Sequence, residues 1–201
     1  MESGTPRFAL VTGASGGIGY ELAKLLTEDG YDLLIAAEDQ EIETARDELA
    51  GATRVDAVRV DLSRSEGVER LHEAATKHER PLDALVLNAG IGGGGSFAGG
   101  TDLGAEMKLI DLNVKSTVHL CKLEVEPMVK RNRGRILFAS TVASARPGAD
   151  QAIYNASKSF VHSFALSLRD ELSGTGVSVT SLICQNEPAR DAREGIKEML
   201  E

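Results

Sequence analysis

Residues 8–19 read Phe8-Ala9-Leu10-Val11-Thr12-Gly13-Ala14-Ser15-Gly16-Gly17-Ile18-Gly19. Phe8 to Val11 is a short, continuous apolar run, the signature of a strand buried on both faces. The run stops at a turn rich in glycine. A helical pattern follows, with Leu22, Leu25 and Leu26 on one face, and ends at Gly30. Glycines let the backbone approach a diphosphate closely, and a helix start offers free N–H groups and a positive dipole end. A glycine cluster alone is a common turn. Set between a strand and a helix, it is in the context that a phosphate cradle requires.

The alternation continues outward from this unit. Tyr31 to Ala37 reads as a second strand and Gln40 to Ala50 as a helix. Val55 to Val60 reads as a third strand, ending at Asp61-Leu62. Ser63 and Glu66 have the spacing of a capping box, opening a helix through about His78. Leu82 to Leu87 is a fourth strand, followed by Asn88-Ala89-Gly90. Residues 91–100 hold six glycines and read as a mobile loop. One long helix is expected from Asp102 to Lys130, kinked or shortened by Pro127. Arg135 to Ala139 is a fifth strand and Val177 to Ile183 a sixth. A helix joins them, ending at about Leu172, and a last helix begins at Pro188, a favoured first position. Strands alternating with helices predict a single α/β domain: a Rossmann-like, doubly wound parallel β-sheet with helices on both faces. Ligands of such sheets collect at the carboxyl ends of the strands. Gly13, Asp61 and Asn88 all fall at such ends.

At Glu38-Asp39, just after the second strand, an acid accepts hydrogen bonds from an adenosine ribose in a dinucleotide fold and repels a 2′-phosphate. Alternatively, the two acids simply begin the next helix. Tyr154-Asn155-Ala156-Ser157-Lys158 puts a phenol and an ammonium one helical turn apart on one face. An unperturbed phenol has a pKa of about 10. A fixed ammonium beside it favours the phenolate and brings proton transfer within reach of neutral pH. Taken alone, the pair reads equally as a half-buried aromatic and a solvated lysine.

Composition narrows the classes. The 201 residues are 42% hydrophobic and 26% charged, with a net charge of -9 and no basic stripe, which argues against nucleic acid as a partner. No apolar run approaches the roughly 20 residues of a membrane span. The short lead from Met1 into the first strand leaves no room for a signal peptide, so a cytoplasmic protein is expected. Cys121 and Cys184 make no disulfide framework, and the four histidines are scattered, so no metal is expected.

Together these residues resemble the short-chain dehydrogenase/reductase family over about Phe8 to Ile183. Thr12-Gly13, Gly17, Ile18 and Gly19 look like its cofactor fingerprint, with Ser15 and Gly16 inside the turn. Asp61-Leu62 resembles its adenine-contacting segment. Leu87-Asn88-Ala89-Gly90 is similar to its Asn-Asn-Ala-Gly motif, with Leu87 for the first Asn. Asn113 falls at its helix asparagine, and Tyr154 and Lys158 at its Tyr-x-x-x-Lys. The resemblance implies an oxidoreductase acting on a carbonyl or secondary alcohol with NAD or NADP, working as a homodimer or homotetramer. Tyr154 would be the general acid or base. Lys158 would bind the nicotinamide ribose and lower the Tyr154 pKa. Asn113 would hold a water in a proton relay. A hydroxyl at the fifth strand's exit would hold the substrate oxygen. The family's serine stands thirteen positions before the tyrosine, which is Thr141 here, with Ser140 beside it; Thr141 is preferred. Glu38-Asp39, and the lack of a basic residue in the glycine turn, lean toward NAD.

One departure bears on function. After the sixth strand the family usually has a Pro-Gly turn, a substrate-covering segment, a further helix and a seventh strand. Here Ile183-Cys184-Gln185 runs straight into a stretch, 186–192, that resembles the late helix. Either the natural chain lacks the covering segment and last strand, or the sequence here omits them; omission is preferred. A dinucleotide-binding protein with little turnover is therefore the alternative to an enzyme.

Overall fold

The computed structural model describes residues 6–142, 148–185 and 187–201. Part of the loop read after Thr141, and Asn186 in the final connection, lie outside them. Six strands form one sheet: β1 (Arg7–Thr12), β2 (Tyr31–Ala37), β3 (Val55–Arg59), β4 (Ala84–Leu87), β5 (Gly134–Thr141) and β6 (Val177–Cys184). Their order is β3-β2-β1-β4-β5-β6, and every pairing is parallel. The helices are α1 (Gly17–Glu28), α2 (Glu41–Leu49), α3 (Ser65–Thr76), α4 (Leu103–Ile110), α5 (Thr117–Lys130), α6 (Ala152–Glu171) and α7 (Pro188–Leu200). This is the Rossmann-like doubly wound architecture.

Strand periodicity sorts the core into two layers. Ala9 and Val11 of β1 face a cluster holding Leu22 and Leu26 of α1, Ile42 of α2 and Ile196 of α7. Phe8 and Leu10, one residue out of phase, face Leu71 of α3, Leu120 of α5 and Val161 of α6. Three helices therefore cover each face, and β1 is fully buried from Phe8 to Val11. Each large side chain so buried stabilises the fold by roughly 1.5–3 kcal/mol before the entropy of ordering is set against it.

The structure departs from the expected elements at three places. The long helix is not continuous: α4 and α5 are separated by a π-helical turn, Asp111–Ser116, and Asn113 sits in it. A π turn inserts a residue into the helical repeat and re-aims the side chains around it. Pro127 does not end α5, which runs on to Lys130. The capping box does not form. Arg64 precedes α3, with no side-chain cap. Ser63 instead donates from Oγ to Asp61 Oδ1 at 2.6 Å and from its amide at 2.9 Å. The nearby carboxylate takes the Ser63 hydroxyl proton in a charge-assisted bond and orients the side chain toward Asp61. Among the described residues no helix is long and apolar enough to cross a membrane.

Candidate active site

The sheet order reverses between β1 and β4, and there the exits of the two strands are tied together. Thr12 Oγ1 donates to the Val86 carbonyl at 3.2 Å and accepts from the Asn88 and Ala89 amides at 3.0 Å each. The Asn88 side chain donates to the Thr12 and Gly13 carbonyls, both at 3.1 Å. Its amide protons are thus spent on shaping the glycine turn. Gly13 has φ +67°, and a Cβ there would stand 2.9 Å from Ala89 Cα. At Gly19 a Cβ would come within 2.0 Å of the Gly13 carbonyl oxygen. Only glycine allows these two approaches.

Gly16 precedes α1 in extended conformation; no side chain caps the helix, and no acid lies in its first turn. The leading N–H groups of α1 and its positive end thus face an open cradle. A Cβ added at Gly16 or Gly17 would meet nothing within 4 Å, so the space above them is free. The residues present fit a dinucleotide diphosphate.

A cleft of about 260 Å³ continues from this turn. Gly13, Gly16 and Ile18 line it from the first turn, and Asn88 and Gly90 from the exit of β4. Ser140 and Thr141 line it from β5, and Tyr154 and Lys158 from α6. These motif residues thus share one cavity, while Glu38, Asp61, Leu62 and Asn113 do not line it. Cys184, at the end of β6, also borders it, a position that sequence reasoning did not connect to the site.

Lys158 is buried, and its Nζ donates to the Ala139 carbonyl at 3.2 Å. Burial lowers the Lys158 pKa, opposed by the Cys184 thiol. Burial raises the Tyr154 pKa, and Cys184 adds to it. The expected depression of the Tyr154 pKa by Lys158 is therefore reversed in the protein alone. Desolvation dominates, and the ammonium is engaged with a carbonyl instead. Cys184 itself is pushed up to about 11 by burial first.

The two hydroxyls on β5 are differently placed. Ser140 Oγ donates to the Lys158 carbonyl of α6 at 3.0 Å. Thr141 Oγ1 donates to the Cys184 carbonyl across the ladder at 3.3 Å. Asn113, 1% exposed, accepts from the Ile91 amide (2.9 Å) and donates to the Ile91 carbonyl (3.0 Å) and to Ser157 Oγ (3.1 Å). It joins the segment after β4 to the π turn and α6. Gly90 lies against it: a Cβ there would be 3.0 Å from Asn113 Oδ1 and 3.3 Å from Lys158 Nζ.

The adenosine end differs from expectation. Asp61 is held below the usual carboxyl range first by the Ser63 hydroxyl, with Lys108 and Arg64 adding to it. Leu62, buried beside it, belongs to the core. Glu38, expected to meet a ribose, is paired with Lys108 of α4, whose Nζ lies 3.1 and 3.2 Å from its two carboxylate oxygens. Asp39 accepts from Ser15 Oγ at 2.9 Å. Both acids thus already have a partner within the chain, and the expected lean to NAD finds no support in their placement. Among the described residues no group of three or more His, Cys, Asp or Glu could hold a metal ion.

A second cavity of about 300 Å³ adjoins the cleft and shares Tyr154, Ile91 and Gly92 with it. Its walls include Phe97, Leu109 and Ile153.

A glycine turn that fits a diphosphate, a strand-order reversal and a Tyr–Lys pair in one cleft mark the Rossmann class of folds. The short chain dehydrogenase family model matches residues 7–186, and the chain belongs to that family. An NADP-dependent 3-hydroxy acid dehydrogenase of Salmonella typhi is 32% identical over 174 residues, 86% of this chain and 69% of that protein. A metagenomic short-chain oxidoreductase solved with NADP superposes with a TM-score of 0.90 at 28% identity, covering 97% of this chain and 90% of that one. A short-chain dehydrogenase/reductase from Burkholderia phymatum, solved with NAD, gives 0.84 at 28% identity over 91% and 66%. The protein is thus an oxidoreductase of this family.

Proposed function

We propose that the protein transfers a hydride between a nicotinamide cofactor, NAD or NADP, and a small carbonyl or secondary alcohol, with Tyr154 as general acid in reduction and base in oxidation. The observation that carries the reading is that Tyr154, Lys158 and the β5 hydroxyls share one cleft with Gly13, Gly16 and Ile18. The diphosphate would lie on Gly13 to Gly19, the adenosine by Asp61 and Leu62, and the nicotinamide ribose by Lys158 and the segment Asn88 to Gly90. When bound, the nicotinamide supplies or accepts the hydride; the chain supplies position and electrostatics.

Tyr154 holds the proton. Burial keeps its phenol protonated at neutral pH, the state that donates to a carbonyl oxygen as charge develops there. Lys158 lies one turn along α6 and, as an ammonium, would draw the proton toward release once it reaches a ribose hydroxyl. Thr141, thirteen positions before Tyr154, is the hydroxyl that would hold the substrate oxygen, with Ser140 beside it in the same cleft. Asn113 would sustain the relay by fixing Ile91 and Ser157 around Lys158. The adjoining apolar cavity, with Tyr154 in its wall, would receive the substrate's carbon skeleton. The same family pattern points to a homodimer or homotetramer.

The test is a fluorescence titration with NADH and NADPH, followed by a panel of ketones and aldehydes monitored through the absorbance of reduced nicotinamide. Binding with turnover supports the reading. Binding with no turnover on any substrate favours a silent dinucleotide binder. No binding removes the reading altogether.

A further inference from the structure

The adenosine end of the cleft carries a group of cations that the established chemistry does not use. Lys108 reaches from α4 to the exit of β2 and there engages both oxygens of Glu38. Arg59 ends β3 in register with Ala37, the last residue of β2. Its Nε donates to the Glu38 carbonyl at 3.0 Å, and it has no ion pair among the described residues. Arg64 Nε lies 3.5 Å from Asp61 Oδ2. In a chain of net charge -9, two cations from two elements thus meet Glu38, with Arg64 at nearby Asp61. Glu38 follows the second strand, where the ribose of a dinucleotide is read.

From this juxtaposition we infer that Lys108, with Arg59 beside it, selects a cofactor bearing a 2′-phosphate, and that Glu38 is the resting partner of Lys108 rather than a ribose acceptor. The inference rests on the cofactor reading above and goes beyond it in naming the discriminating residues.

Three physical points carry it. First, the Lys108 ammonium beside both Glu38 oxygens offsets the negative charge that a bare acid at that position would present to a 2′-phosphate. Second, the pair is exposed, with 45% and 54% of the two side chains accessible. Exposed pairs are worth little, so exchanging the carboxylate for a doubly charged phosphate is easy. Third, the Arg59 guanidinium is anchored through Nε, which leaves its two terminal nitrogens for a fork-like contact with phosphate oxygens. Lys108 adds a flexible point charge from the opposite wall. The acids present, Glu38, Asp39 and Asp61, balance these cations in the protein alone. Asp39 stays tied to Ser15 and does not compete for Lys108.

Equilibrium binding of NADPH and NADH, followed by cofactor fluorescence at low and high salt, tests this on the intact chain. The wild type should bind NADPH more tightly. Lys108→Met should weaken NADPH by about 10-fold or more, as expected for loss of a charge-assisted contact, and change NADH by much less. Arg59→Met should act in the same direction. Glu38→Gln should tighten NADPH by releasing Lys108, and the preference for NADPH should shrink as salt rises. Equal loss of both cofactors in Lys108→Met would make the pair a strap over the adenosine and overturn selection. No change in either, or a wild type that prefers NADH, would overturn it as well. Failure of the wild type to bind either cofactor is a different result: it removes the cofactor reading itself.

Discussion

At the scale of the residue, Tyr154 and Lys158 show how far chemistry follows from spacing. Their four-residue separation put both on one face of α6, and both reach the cleft. What spacing could not convey was desolvation, which moves the phenol up and the ammonium down. Tyr154→Phe should lower kcat by about 10²–10⁴, the usual worth of a positioned acid, while leaving the Kd for NADPH nearly unchanged. A variant that kept most of its rate would show another group to be the acid. With the phenol raised, reduction should be level through neutral pH and decline only on the alkaline side, while oxidation should rise there. Steady-state kcat/KM profiles in both directions check the sign. The Lys158 shift also has a consequence for stability. Its folded pKa lies below the unfolded value of about 10.4. The unfolded chain therefore binds more protons between those two values, and stability rises with pH across that window. Below the folded pKa the cost of the buried ammonium is felt in full. Lys158→Met should then abolish turnover yet raise stability near neutral pH by roughly 1 kcal/mol, read by denaturant unfolding. A clear loss of stability would mean that the Ala139 contact outweighs the desolvation.

At the scale of the element, strands were easier to read than helix irregularities. The apolar runs at Phe8–Val11 and Tyr31–Ala37 needed only local pattern, since strands buried on both faces have no polar alternation to confuse them. The π turn at Asp111–Ser116 has no such signal. Its one-residue insertion is set by what Asn113 must reach, Ile91 and Ser157, and both are remote in sequence. Asparagine in mid-helix is only mildly unfavourable, so Asn113 by itself signalled nothing. The Ser63-x-x-Glu66 pattern misled for the converse reason: Asp61, two residues away, binds the Ser63 hydroxyl and orients it toward itself. Asn113→Ala should leave the Ile91 amide and carbonyl without their buried partner. The cost is about 1–3 kcal/mol for two lost hydrogen bonds to a partly exposed backbone, and the lost anchor should raise KM as well as lower Tm. An unchanged Tm would show that Asn113 does not hold the segment after β4. A substitution at Gly19 acts on the first turn. Gly19→Val would drive a side chain into the Gly13 carbonyl, which is backbone and cannot step aside.

At the scale of the whole molecule, the cleft exists because the strand order reverses between β1 and β4. The alternation of elements made a parallel sheet with ligands at its carboxyl ends legible. The distribution of charge around the rim was not, because Lys108 lies 70 residues from Glu38 and meets it only after α4 has packed. The site draws on the first turn, the exits of β4 and β5, and α6, so a ligand seated there ties both halves of the sheet together. Anything that binds the folded state and not the unfolded one stabilises it by mass action. At a hundredfold excess over Kd that amounts to about 2.7 kcal/mol. For a domain of this size each kcal/mol moves Tm by about 2–4 °C. Saturating NADPH should therefore raise Tm by about 5–10 °C. The same shift should appear in Tyr154→Phe, which keeps the cradle, and vanish in Gly19→Val, which loses it. A full shift in Gly19→Val would place the cofactor somewhere other than the Gly13–Gly19 turn. No shift in either variant, with a full one in the wild type, would mean that Tyr154 contributes to binding as well as to proton transfer.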